Sequence, residues 1–228
     1  MANLKEKVLG SVSGGLGDII FRNVKGKNVI SMKPASFNTP QDPGSVARRG
    51  KFLMVVKLAA SINSNVQLKS IWKQFGPSGL SIINTLVKTN YLNVTPDDIN
   101  DSMLLVPSGG FGIATVSVDK TADQVVIELQ AIGTASGIDT GIEKKLRLMM
   151  ILFLKSPVIV ENTAPYAFIS LSSGILNTSL TVPLTFTALL MSNQSLLFNQ
   201  YQESKVFFAL VTLNEQEDLI RHSISLFG

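Results

Sequence analysis

The hydrophobic pattern of the chain changes once, at the polar segment 95–101. From about residue 44 up to this segment, apolar residues recur at the spacing of an α-helix, and after it they alternate with polar residues as in a β-strand. The helical spacing brings apolar residues onto one face only in an α-helix, and the alternating spacing does so only in a β-strand. One element therefore cannot have both patterns. The pattern therefore predicts an α+β chain in which helices precede strands.

A short Gly-punctuated region comes before the helices. Residues 19–21 and 29–32 are predicted strands of a hairpin, joined through the segment NVKGKN, where Gly26 suits a turn position with positive φ. The segment 34–44 contains three prolines and is expected to be an extended linker. We therefore expect residues 1–43 to form a Gly-rich arm, a basic hairpin and this linker.

About three helices are predicted over residues 44–95. Asp42 suits an N-cap, and Pro43 suits the first position of the first helix. A second helix is expected at about 65–75, and a third after Ser78 as its N-cap. The first helix is expected to bury a stripe formed by Phe52, Val55, Val56, Ala59, Ala60 and Ile62.

Residues 102–228 are predicted to form an antiparallel β-sandwich of immunoglobulin or fibronectin type III kind. Seven short segments with alternating polarity are separated by turns, which is typical of such a domain. They lie at about 113–118, 125–129, 146–154, 165–171, 179–189, 204–213 and 219–227. The segment 189–205 is longer than a turn between strands needs, which indicates an insertion.

Charge is divided unevenly along the chain. Residues 1–90 contain 13 Lys and Arg residues but only three acidic residues. Residues 91–228 contain seven Lys and Arg residues and 13 acidic residues. This asymmetry favours an acidic partner for the basic part, such as nucleic acid, an anionic surface or the acidic part of a neighbouring copy. The alternative is two domains that simply differ in surface charge.

Only 16% of all residues are charged, and Ser, Thr, Asn and Gln supply 62 residues. We therefore expect a surface of neutral polar groups, or one that partner proteins cover.

The basic residues concentrate on the predicted hairpin and the first helix. They are expected to form an interaction surface for a protein partner or for nucleic acid, because phosphate binding requires positioned cations rather than a motif. This surface comprises Arg22, Lys25, Lys27, Lys33, Arg48, Arg49 and Lys51. The Gly-rich residues 8–21 are expected to be an assembly arm whose backbone packs against a neighbour. The arm is represented by Gly10, Gly14, Gly15, Gly17 and Phe21.

No pattern of residues indicates catalysis. The single histidine, His222, is more simply explained as a structural residue on a sheet face than as a catalytic base. The GxSxG, GxxxxGK[ST] and GxGxxG motifs do not occur. Asp97, Asp98 and Asp101 could contact Ca²⁺, but the EF-hand spacing is missing and TPDD is typical of a helix start. We expect a protein that is not an enzyme, with no cofactor, no metal and no small-molecule substrate.

Targeting signals are not evident either. The chain has no cysteine, which excludes disulfides and thiolate metal sites. The first 15 residues lack the apolar core of a signal peptide, and the apolar run 148–154 is much shorter than the roughly 20 residues of a spanning helix. We expect no transmembrane segment, and a location in the cytoplasm or in a virion.

The order of these segments resembles an uncharacterised Bacteroidota family that is classed only as a domain of unknown function. Proteins of that family begin with a Gly-rich GxxGNVV strand, a WKGxxxVRSxP hairpin and a TPAQxAQRxKF helix. Here residues 17–20 stand in place of GNVV, and Lys25-Gly26 matches the hairpin turn. Asp42-Pro43 stands in place of TP, and Arg49, Lys51 and Phe52 match RxKF.

The end of the chain, KVFFALVTLNEQEDLIRHSISLFG, and the segment LRLMMILFLKSP also resemble that family. The chain departs from it in lacking the hairpin tryptophan and in the extra segment 189–205. The resemblance implies an architecture, and no catalytic residues carry over. Proteins of this general appearance also occur among phage-encoded genes, which favours a virion component.

Together these features predict a non-enzymatic structural protein. We expect a subunit of a larger homo- or hetero-oligomeric complex, such as a capsid- or tail-associated component of a phage virion. The alternative is a sequence-nonspecific nucleic-acid-binding protein that uses the basic N-terminal half. A carbohydrate-binding or cell-surface sandwich is disfavoured, because aromatic residues are few and an export signal is missing.

Overall fold

The structure, a computed structural model, describes residues 2–3, 12–24, 26–33, 36, 39–161 and 163–228. The chain divides into two compact units, residues 1–42 and 43–228. The mixed α+β class is as predicted, with helices and antiparallel sheets in one chain. The division into 1–43, 44–95 and 102–228 stays a prediction, and the helices share the second unit with two of the sheets.

The first unit contains an antiparallel sheet. Its strands are β1 (Ala2–Asn3), β2 (Gly14–Leu16), β3 (Ile19–Val24) and β4 (Lys27–Met32), in the order β1-β4-β3-β2. The predicted hairpin is confirmed, because β3 pairs with β4 along its whole length. Gly26 has a φ of +79° in the turn, a conformation that favours glycine.

The second unit begins with three helices, α1 (Pro43–Ser64), α2 (Val66–Phe75) and α3 (Ile82–Asn90). As predicted, α1 begins at Pro43, whose missing N–H costs nothing in the first turn. The Asn65 side chain caps α2 by accepting hydrogen bonds from two backbone N–H groups. The N-cap predicted for α3 was wrong: Ser81, not Ser78, accepts from the Asn84 N–H at 3.3 Å. Both serines suit a cap, and Gly79 between them adopts a φ of +97°, which keeps the chain there out of the helix.

The second unit continues with β5 (Thr115–Lys120), β6 (Gln124–Leu129), β7 (Lys145–Pro157), β8 (Tyr166–Asn177), β9 (Leu184–Leu189), β10 (Tyr201–Leu213), β11 (Leu219–His222) and β12 (Leu226–Phe227). One antiparallel sheet has the order β5-β6-β9. The other has the order β11-β10-β7-β8, and β12 also pairs with β10. The predicted strand at 219–227 is divided into β11 and β12, and 179–189 is a strand only from Leu184.

Strands β7 and β10 are buried on both faces. Met149, Ile151 and Phe153 face a core shared with α1, α2 and α3, which we call the helix-side core. Met150 and Leu152 face a core shared with β6 and β9, the sheet-side core. Strands covered on both sides carry nearly continuous apolar runs, which explains the segment LRLMMILFL. The second unit therefore has three layers: helices, the larger sheet and the smaller sheet.

The buried stripe predicted for α1 was partly wrong. The structure buries Met54, Val55, Leu58, Ala59 and Ile62, whereas Phe52 is 55% exposed. The physical reason is that α1 carries apolar residues on both sides, so its period alone does not select the side that packs on the sheet.

The insertion expected at 189–205 contains a short helix, α4 (Ser192–Phe198), which connects β9 to β10. Within the part of the chain that the structure describes, no helix is both long and apolar enough to cross a membrane.

Candidate interaction surface

The basic hairpin of the first unit presents its cations to solvent. Arg22 pairs with Val29 and Lys27 with Val24, so the strand alternation places Arg22 and Lys27 on one face of the hairpin. Both residues are exposed, as is Lys33 just after β4. Lys25, in the turn, lies outside the described residues.

The predicted assembly arm is partly a strand. Gly14 and Gly15 belong to β2, which pairs with β3 so that Gly14 lies opposite Phe21. Gly17 has a φ of +57° in the turn between these strands, where its lack of a Cβ is needed. Phe21 is half-buried. Gly10 lies outside the described residues.

This sheet shows almost no apolar core of its own. Among the described residues of 1–42, no hydrophobic side chain is buried. The only buried residue there is the polar Asn28. Leu16 and Met32 are more than two-thirds exposed. Small sheets normally require burial of one face for stability, so this unit carries apolar surface that is still open to a partner.

The second group of predicted cations lies on α1. Arg48 and Arg49 are exposed, and the Arg48 guanidinium donates a hydrogen bond to the Ser45 hydroxyl at 2.7 Å. Lys51 has a different environment, because it is half-buried with its ammonium 4.8 Å from the centre of the Tyr91 ring. This cation–π contact gives Lys51 a partner inside the unit.

Apolar side chains accompany the two arginines on the side of α1 that faces away from the helix-side core. Phe52 and Leu53 are 55% and 51% exposed, and Val56 is half-buried one turn further on. These side chains border a shallow open depression of about 620 Å³. We call its lining the α1 outer surface; it consists of Ser45, Arg48, Arg49, Phe52, Leu53 and Val56.

The acidic half of the chain neutralises much of its own positive charge. Among the described residues, six ion pairs are formed, and all of them lie within 91–228. They engage five of the seven cations of that half: Lys145, Arg147, Lys155, Lys205 and Arg221. They use only four of its 13 acids, so the remaining carboxylates leave an acidic surface there.

Two of the three candidate calcium ligands, and the single histidine, contact other residues of the chain. Asp98 is paired with Lys205 and Lys155, and the Asp97 carboxylate accepts a hydrogen bond from the Thr95 hydroxyl. No group of three potential metal ligands occurs in the described ranges. His222 is buried, with its ring edge-on to Phe75 at 4.9 Å between centroids.

Sequence reasoning missed the apolar part of the α1 outer surface. The predicted buried stripe includes Phe52 and Val56, and it leaves out Leu53. The sequence did contain an indication of this surface, because the consecutive apolar residues 52–56 must lie on more than one side of a helix. The hairpin cations belong to the first unit, and the α1 arginines belong to the second.

A scan against models of protein families finds no match for this chain, and a search of curated proteins finds none either.

Proposed function

We propose that the protein is a non-enzymatic structural subunit of a larger assembly, in which a neighbouring protein subunit binds the α1 outer surface. The observation that carries the proposal is the exposure of Phe52 and Leu53 beside Arg48 and Arg49 on a helix whose opposite face is already buried. Arginine and aromatic residues are enriched in protein interfaces, whereas lysine is depleted.

The chemistry of this surface favours protein over nucleic acid. Phosphate contacts require cations alone, whereas exposed Phe, Leu and Val side chains gain free energy only when apolar surface covers them. The partner is therefore expected to offer apolar side chains, with carboxylates for the two arginines. The open apolar residues of the first unit, Leu16 and Met32, are consistent with a further contact in the same assembly.

A phage virion is our preferred assembly, and the support for it is the resemblance to phage-encoded proteins together with the low charge of the whole chain. Membership of the Bacteroidota family stays a prediction.

For the second unit we further propose an immunoglobulin/fibronectin-III-like sandwich. In immunoglobulin lettering, strands A, B and E face strands C, F and G, and strand C′ is added beside C. The order β5-β6-β9 corresponds to A-B-E, and β11-β10-β7-β8 corresponds to G-F-C-C′. The helices that cover the outer face of β7 and β10 would be an addition to such a domain. An experimental structure in which β8 pairs with β9 instead of β7 would contradict this assignment.

The assembly proposal is tested with the full chain expressed in its source and separated by density-gradient sedimentation. We expect the wild-type protein to sediment with large particles, and mass spectrometry of purified particles to detect it. The variant R48E/R49E should move the protein to light fractions. The matched control is K69E/K73E, which makes the same charge change on the exposed side of α2.

Two outcomes would contradict the proposal. One is an unchanged distribution for R48E/R49E, or an equal loss for the control. The other is release of the protein from heavy fractions by nuclease, together with binding of the purified chain to DNA or RNA that weakens with rising salt. That second result would support the nucleic-acid alternative, because phosphate binding depends steeply on salt.

A further inference from the structure

The smaller sheet of the second unit has one face that points away from the sheet-side core. Val125 and Ile127 of β6 point into that core, so the residues between and beside them point to the opposite face. Directly paired residues of neighbouring strands share a face, and the pairing of β6 with β5 and β9 therefore extends this face over all three strands. We call it the outer sheet face. Its central residues are exposed or half-buried: Asp119, Gln124, Val126, Glu128, Thr187 and Leu189.

The outer sheet face carries negative charge and no positive charge. Asp119 and Glu128 are exposed on it, and the Glu128 carboxylate accepts a hydrogen bond from the Ser117 hydroxyl at 2.9 Å. The only Lys or Arg of the three strands is Lys120, which pairs with the buried Val125 and therefore points to the other side. None of the ion pairs formed by the described residues includes Asp119 or Glu128. These carboxylates are therefore available to a cation from another molecule.

Apolar side chains lie beside these acids. Leu189, the last residue of β9, is 73% exposed, and Val126 is half-buried in the middle of the outer sheet face. The Leu190 N–H donates to the Asp123 carbonyl at 2.8 Å, which places a further exposed acid next to the end of β9. The outer sheet face therefore combines carboxylates with apolar surface.

The helical layer of the same unit has the opposite charge. Residues 43–94, which include α1, α2 and α3, contain seven Lys and Arg residues and no acidic residue. On the α1 outer surface, Arg48 and Arg49 lie beside the exposed Phe52 and Leu53. The α1 outer surface and the outer sheet face are therefore alike in having apolar side chains and complementary in the sign of their charge.

The three layers of the second unit keep these two surfaces apart within one molecule. The α1 outer surface faces away from the helix-side core, and the outer sheet face points away from the sheet-side core. Because the larger sheet lies between the two cores, the two surfaces are on opposite sides of the unit. They cannot meet within one chain, but a second copy offers each surface its complement.

We propose that the α1 outer surface of one copy packs on the outer sheet face of a second copy. This inference rests on the proposed function and identifies the neighbouring subunit at α1 as another molecule of the same chain. Contacts between arginine and carboxylate are charge-assisted hydrogen bonds, and covering the apolar side chains of both surfaces adds favourable free energy. Because the two surfaces differ, the contact is head-to-tail and repeats from copy to copy, so it builds a ring or an open chain.

The first test measures self-association of the purified full chain, by sedimentation velocity and by light scattering after size-exclusion chromatography, over a wide concentration range. We expect oligomers larger than a dimer to accumulate as concentration rises, since each added copy presents another surface of each kind. R48E/R49E and D119K/E128K should each raise the apparent dissociation constant at least about tenfold, because each places like charges opposite one another. Circular dichroism verifies that the variants are folded.

A mixture of the two variants gives the sharper test. In R48E/R49E both surfaces are acidic, and in D119K/E128K both are basic, so self-association of either variant alone should be lost. In the mixture, every acidic surface can meet a basic one on the other variant, and we expect oligomers to form again. Structural damage by either pair of substitutions would not produce this recovery.

Matched controls make the same charge changes elsewhere on the chain. K69E/K73E reverses two exposed lysines of α2, and E161K/E215K reverses two exposed acids outside the outer sheet face. We expect the self-association of both control variants to equal that of the wild type.

Three results would overturn the inference: a wild-type chain that stays monomeric at all concentrations, controls that weaken association as much as the test variants, or a mixture that does not associate. Association that is weakened by R22E/K27E in the hairpin and not by R48E/R49E would assign the outer sheet face to the first unit of a neighbour, and would also overturn it.

The experiments separate this inference from the proposed function. If the purified wild type is monomeric and R48E/R49E still moves the protein out of the heavy fractions in its source, the neighbour at α1 is a different protein. The proposed function then stands and the inference fails. If R48E/R49E changes neither measurement, both fail.

Discussion

Asp98 and Lys205 form an ion pair of 3.1 Å that joins the loop after α3 to strand β10. The Lys205 ammonium also donates to the Ile99 carbonyl at 2.8 Å, and the Asp98 carboxylate lies 3.3 Å from the Lys155 ammonium of β7. One acid therefore connects the helical layer to the two central strands. The sequence alone had offered this residue as a candidate calcium ligand.

The first prediction concerns the pH dependence of this connection. Burial acts to raise the pKa of Asp98, but the hydrogen bond from the Ile99 N–H and the contacts with Lys205 and Lys155 outweigh burial, so the pKa is lowered. A folded-state pKa below the unfolded one gives stability that is present at neutral pH and is lost as the pH falls through the folded pKa. Because the pair is partly exposed, we expect Asp98→Asn to lower the free energy of unfolding by about 1 kcal/mol at neutral pH.

Urea denaturation measures this difference, and it should disappear at roughly pH 2. The control is Asp101→Asn in the same loop, since the described contacts give the Asp101 side chain no hydrogen bond or ion pair. An Asp98→Asn effect that persists in acid would show that lost packing, and not charge, is responsible.

The second prediction concerns the close approach of two backbone segments. A Cβ at Gly110 would overlap with the carbonyl group of Ser223, next to the bridge that joins Phe111 to Ser223. Gly110→Ala must displace backbone rather than a flexible side chain, so we expect it to lower the free energy of unfolding by about 1–3 kcal/mol. Thermal and urea denaturation report this loss.

Gly112→Ala is the matched control, because nothing lies within 4 Å of a Cβ at Gly112 and its φ is not in the left-handed region. We expect it to change stability by less than about 0.5 kcal/mol. Equal effects of the two substitutions would contradict the close contact at Gly110.

The third prediction tests the three layers of the second unit. Met149 and Met150 are consecutive in β7, and both are fully buried, the first in the helix-side core and the second in the sheet-side core. We expect Met149→Ala and Met150→Ala each to cost about 2–5 kcal/mol in urea denaturation. If one face of the sheet were exposed to solvent, one of the two substitutions would lower the free energy of unfolding much less than the other.

Thr187→Ala on the exposed side of β9 is the control, with an expected change within about 0.5 kcal/mol. A small effect at Met149 together with a large one at Met150 would mean that the helices do not cover β7.

The elements with a strong local signal were predictable from the sequence. Gly26 between two lysines indicated the hairpin turn, and Asp42-Pro43 indicated the start of α1, because each depends on the backbone preferences of one or two residues. The run LRLMMILFL was predicted as a strand. Its coverage by helices on one side and a sheet on the other is a property of the packed unit, which no local preference encodes.

The candidate surfaces were less predictable. Arg48 and Arg49 were expected to be exposed, but the apolar residues beside them were assigned to the core. Val158, Ile159 and Val160 have the composition of a buried strand, and yet they lie at a loop tip. Apolar residues are usually buried. Which of them remain exposed is known only from the folded structure, because it depends on which side chains the core includes.

The sequence by itself therefore determined most of the longer helices and strands and their order along the chain, because a helix or strand period is set by residues two to four positions apart. The tertiary structure decided which of the two apolar sides of α1 is covered, and which strands are neighbours. Those choices depend on contacts between distant residues, such as the pairing of Arg147 with Val211, and on the volume that each side chain fills in a shared core.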